Sequence, residues 1–153
     1  MKIAIITDQH FGARKGSKLF HDYFKQFYDD IFFPTLEKEG ITTVVDMGDT
    51  FDNRRGIDFW ALDWAKEHYF DRLRDMNIKV HTIVGNHTAY YKNTNEINTI
   101  GLLLSEYKNI ICYDKATEIK LDKLKTLLIP WINPENQEET HDIINNTKCN
   151  VAM

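Results

Sequence analysis

Six residues of this chain carry the donor atoms of a metal site, and they fall in three clusters. Asp8 and His10 stand in Asp8-Gln9-His10-Phe11-Gly12, Asp49 and Asp52 in Gly48-Asp49-Thr50-Phe51-Asp52-Asn53, and Asn86 and His87 directly after Gly85. Asp8 and His10 are two residues apart, so in an extended segment both point to one side and can grip one ion. Asp49 has two oxygens, enough to bridge that ion to a second. Asn86 adds a neutral carbonyl oxygen, and a set of carboxylate, imidazole and amide donors with no thiolate suits manganese, iron or zinc. Two such ions a few ångströms apart hold a phosphate and activate water for in-line attack. Histidine as a residue type suits general acid work, and His87 is placed to give a proton to the leaving oxygen or to steady the phosphate.

The elements that must position these groups are legible in the apolar pattern. Each cluster follows a short run rich in β-branched residues: Ile3-Ala4-Ile5-Ile6, Thr42-Thr43-Val44-Val45 and Val80-His81-Thr82-Ile83-Val84. Helix-length stretches separate the runs, which predicts an α/β fold with a parallel sheet. In such sheets ligands bind at the carboxyl ends of the strands, and all three clusters would lie along that edge. Gly12, Gly48 and Gly85 relax the tight turns leaving the strands and let a phosphate approach the main chain.

The first helical stretch carries Phe20, Phe24, Phe27 and Ile31 at spacings that predict one buried face, with a kink at Pro34 and an end at Gly40. A second helix is expected from an Asp58 N-cap, with Leu62, Ala65, Tyr69, Leu73 and Met76 as its core stripe and Trp60 and Trp64 on its flank. A third is expected from about Asn95 to Tyr107. Strands around Ile110-Tyr113, Thr117-Lys120 and Thr126-Ile129 follow, the late ones antiparallel or mixed, and then a short helix from Asn136 to Asn145.

Taken in order, the three clusters resemble the calcineurin-like metallophosphoesterases, whose pattern is D-x-H, then G-D-x-x-D, then G-N-H-[DE], each after a strand. Within that superfamily, Asp8 to Gly12 is similar to the D-x-H-L-G start of SbcD-type nuclease subunits and Gly48 to Asp52 to their G-D-x-F-D. Thr82 to His87, with Ile129-Pro130-Trp131, resembles the phage recombination endonuclease subunits of that branch. The resemblance spans nearly the whole chain. It implies an αββα sandwich with a parallel or mixed sheet. It also implies Asp8, His10 and Asp49 on one divalent ion, Asp49 and Asn86 on a second, His87 beside the scissile phosphate, and Asp52 just behind the ligands. Manganese leads among the ions it implies, ahead of iron, zinc and magnesium.

Two departures from the family pattern matter. Thr88 stands where the family usually has an acid. The family completes its site with a later lone histidine and a G-H-x-H segment, and neither is present; His141, the only later histidine, sits in a polar helical stretch. Residues 1–153 are therefore expected to form the amino-terminal part of a metallophosphoesterase domain, without an internal boundary and with the fold incomplete at the carboxyl end. The isolated chain is expected to show little or no nuclease activity.

Other polar residues have quieter readings. Asp46 suits a structural hydrogen bond as well as a metal and is not counted among the ligands. His21 and His68 read as surface residues, and His81 as packed within its strand. Arg14, Lys15 and Lys18 follow the first cluster and Arg54 and Arg55 the second, so they are candidate phosphate contacts that position a DNA backbone without reading its sequence. Tyr90 and Tyr91 either stack on a frayed base or pack their own loop.

Composition bounds the rest. The 153 residues are 42% hydrophobic, ordinary for one globular domain, and the net charge of −4 excludes a generally basic nucleic-acid-coating surface. Cys112 and Cys149 have no metal-type spacing and form no disulfide framework, which fits a reducing compartment. No apolar stretch approaches the roughly 20 residues needed to span a bilayer, so the expected location is cytoplasmic, in a host cell if the chain is phage-encoded.

The functional expectation is a metal-dependent DNA phosphodiesterase, an exonuclease or endonuclease acting on DNA ends in recombination or repair. Trp60 and Trp64 add an expected homodimer through the second and third helices, and the family implies an SbcC-type ATPase partner. A general calcineurin-like phosphatase or small-molecule phosphodiesterase would use the same clusters. A catalytically silent, dimerising or scaffolding fragment is the reading of a different class.

Overall fold

Strand β1 (Ala4–Ile6) leads through a left-handed turn (Ala13–Gly16) into helix α1 (Lys18–Phe27), which passes by a π turn (Tyr28–Phe32) into α2 (Phe33–Glu39). Strand β2 (Thr43–Asp46) follows, then α3 (Phe59–Ala65), a second π turn (Lys66–Phe70) and α4 (Asp71–Asp75). After β3 (Lys79–Ile83) come α5 (Thr99–Leu103) and β4 (Ile110–Tyr113). The chain continues with β5 (Thr117–Leu121), β6 (Leu124–Leu128), α6 (Gln137–Asn146) and β7 (Val151–Ala152). This is a computed structural model describing all of residues 1–153.

The first four strands pair in parallel in the order β1-β2-β3-β4. Because parallel crossovers are right-handed, an order that never reverses sends every crossover helix to the same face. The register assigns that face to Ala4, Ile6, Val44, Asp46, Val80, Thr82, Ile110 and Cys112. The larger core lies there, built around Phe11, Tyr28, Phe33, Leu36, Phe51, Trp64, Tyr69, Phe70 and Leu73. The opposite face, through Val45 and Ile83, packs on Leu121 and Leu128 of a second, mixed sheet in which β6 pairs with β5 antiparallel and with β7 parallel. The expected α/β class with parallel and mixed sheets is thus the observed one.

The second helix follows its expected pattern. Asp58 accepts a hydrogen bond from the Trp60 N–H at 2.9 Å, and Ala65, Tyr69 and Leu73 are buried. Gly40 closes α2 with φ of +61°, and Pro34 falls in its first turn, where a missing N–H is tolerated. Four expectations need correction. The buried face of the first helix is His21, Tyr28 and Phe32 with Phe24 at its margin, whereas Phe27 and Ile31 are exposed. The observed stripe keeps a regular helical period, at spacings of three, four and four, but it runs through His21 and Tyr28, whose polar atoms find partners, and not through Phe20 and Phe27.

His21 is fully buried rather than superficial: Nδ1 donates to the Ser17 carbonyl at 2.8 Å and Nε2 accepts the Gly12 N–H at 3.2 Å. Trp64 is also core, in tilted and edge-to-face contact with Phe11, His21 and Tyr28, so the two tryptophans do not form a free patch. The third helix is only α5. Asn98 caps it by accepting the Gly101 N–H at 2.8 Å, and the buried Asn95 donates to the carbonyls of Asp114 and Trp131. Those side-chain bonds to main chain compete with an earlier helix start.

Phe11 is the hinge between core and candidate site, being one residue beyond His10 and in ring contact with Phe24, Phe51, Trp64, Tyr69 and Phe70. Truncation of such a side chain costs about 3–5 kcal/mol. We expect Phe11→Ala to lower urea-unfolding stability by about that amount; a loss under about 1 kcal/mol would refute the placement.

Candidate metal centre

The loops leaving β1 and β2 run side by side beyond the sheet. The Asp8 N–H donates to the Gly48 carbonyl at 3.1 Å, His10 N–H to the Asp49 carbonyl at 3.0 Å and Phe11 N–H to the Thr50 carbonyl at 2.8 Å. In the first loop alternation sends Gln9 and Phe11 inward and leaves Asp8 and His10 on the outer side; in the second, Thr50 and Phe51 are both buried between Asp49 and Asp52, which stay less buried. Asp8, His10 and Asp49 have φ of +53°, +49° and +51°, the left-handed region that a non-glycine residue enters only when its surroundings hold it there.

The result is a convergence of donors from far-apart positions. One ligand atom from each of Asp8, His10 and Asp49 lies within 4.8 Å of the others, and the same holds for His10, Asp52 and His87. His10 is the shared member: its Nε2 lies 3.4 Å from Asp8 Oδ1 and its Nδ1 3.3 Å from Asp52 Oδ1. Nδ1 is buried and makes no hydrogen bond, so Asp52 stands behind the ring without gripping it. Asn86 lines a cleft of about 240 Å³ together with Asp8, Asp49 and Trp131. The donor chemistry and spacing fit a hard or borderline divalent cation.

The third loop is locked to the second. The His87 N–H donates to Asp49 Oδ1 at 2.9 Å, and His87 Nδ1 donates to the Asp52 carbonyl at 2.7 Å. Because a carbonyl can only accept, Nδ1 carries the hydrogen and Nε2 is the atom left for a substrate. Thr88, at the position of the family's acid, is buried and spends its hydroxyl on the Gly85 N–H and carbonyl, so the Asp52 carbonyl is the group that orients His87. The cations divide. Arg54 donates to the Asn86 carbonyl at 2.6 Å and lies over Trp131, with Nη1 buried and unpartnered. Lys15 lines a depression beside Asp52, Arg14 lies over Phe20, Lys18 lies over Trp60, and Arg55 is exposed.

Asp46 is fully buried beneath the loops, where burial pushes its carboxyl up to about 7 against the downward pull of hydrogen bonds from Gly48, Thr50 and Gln9. Its acidic type at a strand position facing the core was the available signal for it. Nothing in the sequence marked Gln9 or the Asp52 carbonyl.

Residues 1–151 match the calcineurin-like phosphoesterase family. The chain belongs to that family. Among its relatives, exonuclease subunit 1 of Enterobacteria phage T4 is 35% identical over 155 residues, which cover 99% of this chain and 43% of the phage protein. This phosphoesterase chain therefore spans less than half the length of that relative, which falls where the branch resemblance pointed. In fold it is similar to an archaeal phosphodiesterase (TM-score 0.54, 16% identity, 99% of this chain and 70% of the other). It is likewise similar to the protein of unknown function AQ665 from Aquifex aeolicus (TM-score 0.53, 18% identity, 98% and 75% covered).

Gly85 is where this arrangement is most sensitive. A Cβ there would stand 2.5 Å from Asp49 N and closer still to its Oδ1. We expect Gly85→Ala to cost about 1–3 kcal/mol in stability, as overpacking does, and to abolish calorimetrically detected Mn²⁺ binding. Parent-like binding by the variant would show that the loop tolerates a side chain.

Proposed function

We propose that this phosphoesterase chain is the catalytic amino-terminal part of a metal-dependent nuclease that hydrolyses phosphodiester bonds at DNA ends. The convergence of Asp8, His10 and Asp49 within 4.8 Å carries the reading. In it, Asp8, His10 and Asp49 hold one divalent ion, Asp49 and Asn86 hold part of the coordination of a second, and Asp52 stands just behind the ligands. Bound there, two divalent ions, manganese first among them, supply a nucleophile at neutral pH and charge stabilisation for in-line displacement.

The chain's own residues do the remainder. His87, oriented through Nδ1 on the Asp52 carbonyl, presents Nε2 to the departing sugar oxygen and, when protonated, donates to it. Arg55, Arg14, Lys15 and Lys18 lie near the loops and contact backbone phosphates without reading bases, while Arg54, bonded to the main-chain carbonyl of Asn86, holds the third loop. The DNA substrate and a role in a nuclease assembly are drawn from the phage exonuclease subunit; an SbcC-type ATPase partner and a cytoplasmic location belong to the same proposal. No helix of the chain is long and apolar enough to cross a membrane.

A homodimer is part of this reading, on a different surface from the tryptophans. Phe59 and Leu102, 86% and 68% exposed, line a groove with Tyr90, Tyr91 and Ile97, and this groove lies between the second and third helices. We expect Phe59→Ser with Leu102→Ser to sediment as a monomer; an unchanged assembly mass relative to a dimeric parent would remove this surface from consideration.

The direct test of function is manganese-dependent release of nucleotides from labelled double-stranded DNA. It uses the chain extended to carry the family's later histidine and G-H-x-H segment, with Asp49→Asn alongside. We expect the variant to be about a hundredfold slower or worse, and the 153-residue chain alone to turn over weakly. Equal rates for parent and variant would refute the metal site. Hydrolysis of a small phosphodiester with no DNA cleavage would refute the nuclease reading in favour of a general phosphodiesterase.

A further inference from the structure

We infer that Gln9, Asp46 and Tyr28 form a buried brace that sets the spacing of Asp8, His10 and Asp49, a positioning role that rests on the metal-site reading above. The inference starts from who the partners of Asp46 are. Its Oδ1 accepts the Gly48 N–H at 3.1 Å, and its Oδ2 accepts Thr50 Oγ1–H at 3.0 Å and Gln9 Nε2–H at 3.1 Å. Gly48 and Thr50 flank Asp49, and Gln9 stands between Asp8 and His10. One carboxylate, at the last residue of β2, therefore holds the immediate neighbours of three candidate ligands and touches none of the ligands itself.

The far end of Gln9 is held too. Its Oε1 accepts the Tyr28 hydroxyl at 2.5 Å, and Tyr28 opens the first π turn. Gln9 is thus gripped from the strand side by Asp46 and from the helix side by Tyr28. Asp46, Gln9, Tyr28 and Thr50 are all buried.

General stability does not explain this arrangement. The neighbours of Asp46 along the same sheet face include Val44, Val80 and Ile110, and an apolar residue at position 46 would bury no charge and need no partners. What the polar brace supplies is location. The main-chain bonds between the two loops set their register to each other, but they leave the height of the pair above the sheet open. The bonds to Asp46 and Tyr28 tie that pair to β2 and to the helix layer. They also hold three non-glycine residues in left-handed backbone that would otherwise relax.

Calorimetric titration of the chain with Mn²⁺ tests the brace, with the melting temperature read on every variant. Gln9→Met keeps the length of the side chain and loses both hydrogen bonds, and Tyr28→Phe removes only a hydroxyl. We expect Gln9→Met to weaken Mn²⁺ binding about tenfold, the scale of contacts that orient a ligand from behind, and Tyr28→Phe to weaken it by a smaller factor. The double variant should bind no more weakly than Gln9→Met, because the hydroxyl acts through Gln9. Leu73→Val, a core truncation in α4 at the opposite end of the sheet, should lower the melting temperature and leave Mn²⁺ affinity unchanged, separating positioning from a general loss of stability. Parent-like affinity in both Gln9→Met and Tyr28→Phe overturns the brace while the metal site stands. A parent that binds no Mn²⁺ overturns the metal site, and the brace with it.

Discussion

The geometry of the site depends on how closely the loops after β2 and β3 approach each other. A Cβ at Gly48 would lie 3.2 Å from the Gly85 Cα, and one at Gly85 would run into Asp49. With hydrogen at both positions, the main chain of one loop reaches the carboxylate of the other, and the His87 N–H bonds Asp49 Oδ1. That contact is non-local, between residues 38 apart in sequence. It leaves Asp49 a second oxygen for a cation, and it seats His87 where its ring meets His10 edge to face at 4.9 Å. The parallel sheet brings the loops to one edge; the paired glycines let them touch.

The same alternation that turns the candidate ligands outward turns their neighbours into anchors. Phe11 and Phe51 face each other across a parallel bridge beyond the sheet and are buried in one aromatic cluster. Aromatic rings packed in this way are held by area and by edge-to-face contacts together. Ligand loops on most proteins are free to move because little of their own length is buried. Here Gln9, Phe11, Thr50 and Phe51 are buried, so the loops that carry the site are anchored in the protein interior.

Much of this was legible in the sequence, for reasons that differ by element. The three strands show as β-branched runs, and Asp58 shows as a cap before an apolar stripe, because both signals are local. The positions of Asp8, His10, Asp49, Asn86 and His87 at one sheet edge follow from strand order alone. What stayed hidden depended on partners distant in sequence. His21 reads as polar until Ser17 and Gly12 satisfy both its nitrogens. Asn95 and Asn98 read as helix interior until their bonds to main chain are known. The buried stripe of the first helix slips by one residue because His21 and Tyr28 are polar types whose buried partners, Ser17 and Gln9, lie outside any local pattern. Arg54 reads as a loop cation, yet its guanidinium is folded back onto the Asn86 carbonyl.

The left-handed backbone at Asp8, His10 and Asp49 says something about what this chain has been selected for. Such a conformation costs an L-residue of order 1 kcal/mol at each position, and glycine would adopt it freely. A chain optimised for folding alone would therefore exchange all three for glycine and gain in stability. Asp, His and Asp at these points oppose the fold's own thermodynamic interest, and a screen that scored only thermal resistance would be expected to enrich for sequences that had discarded them.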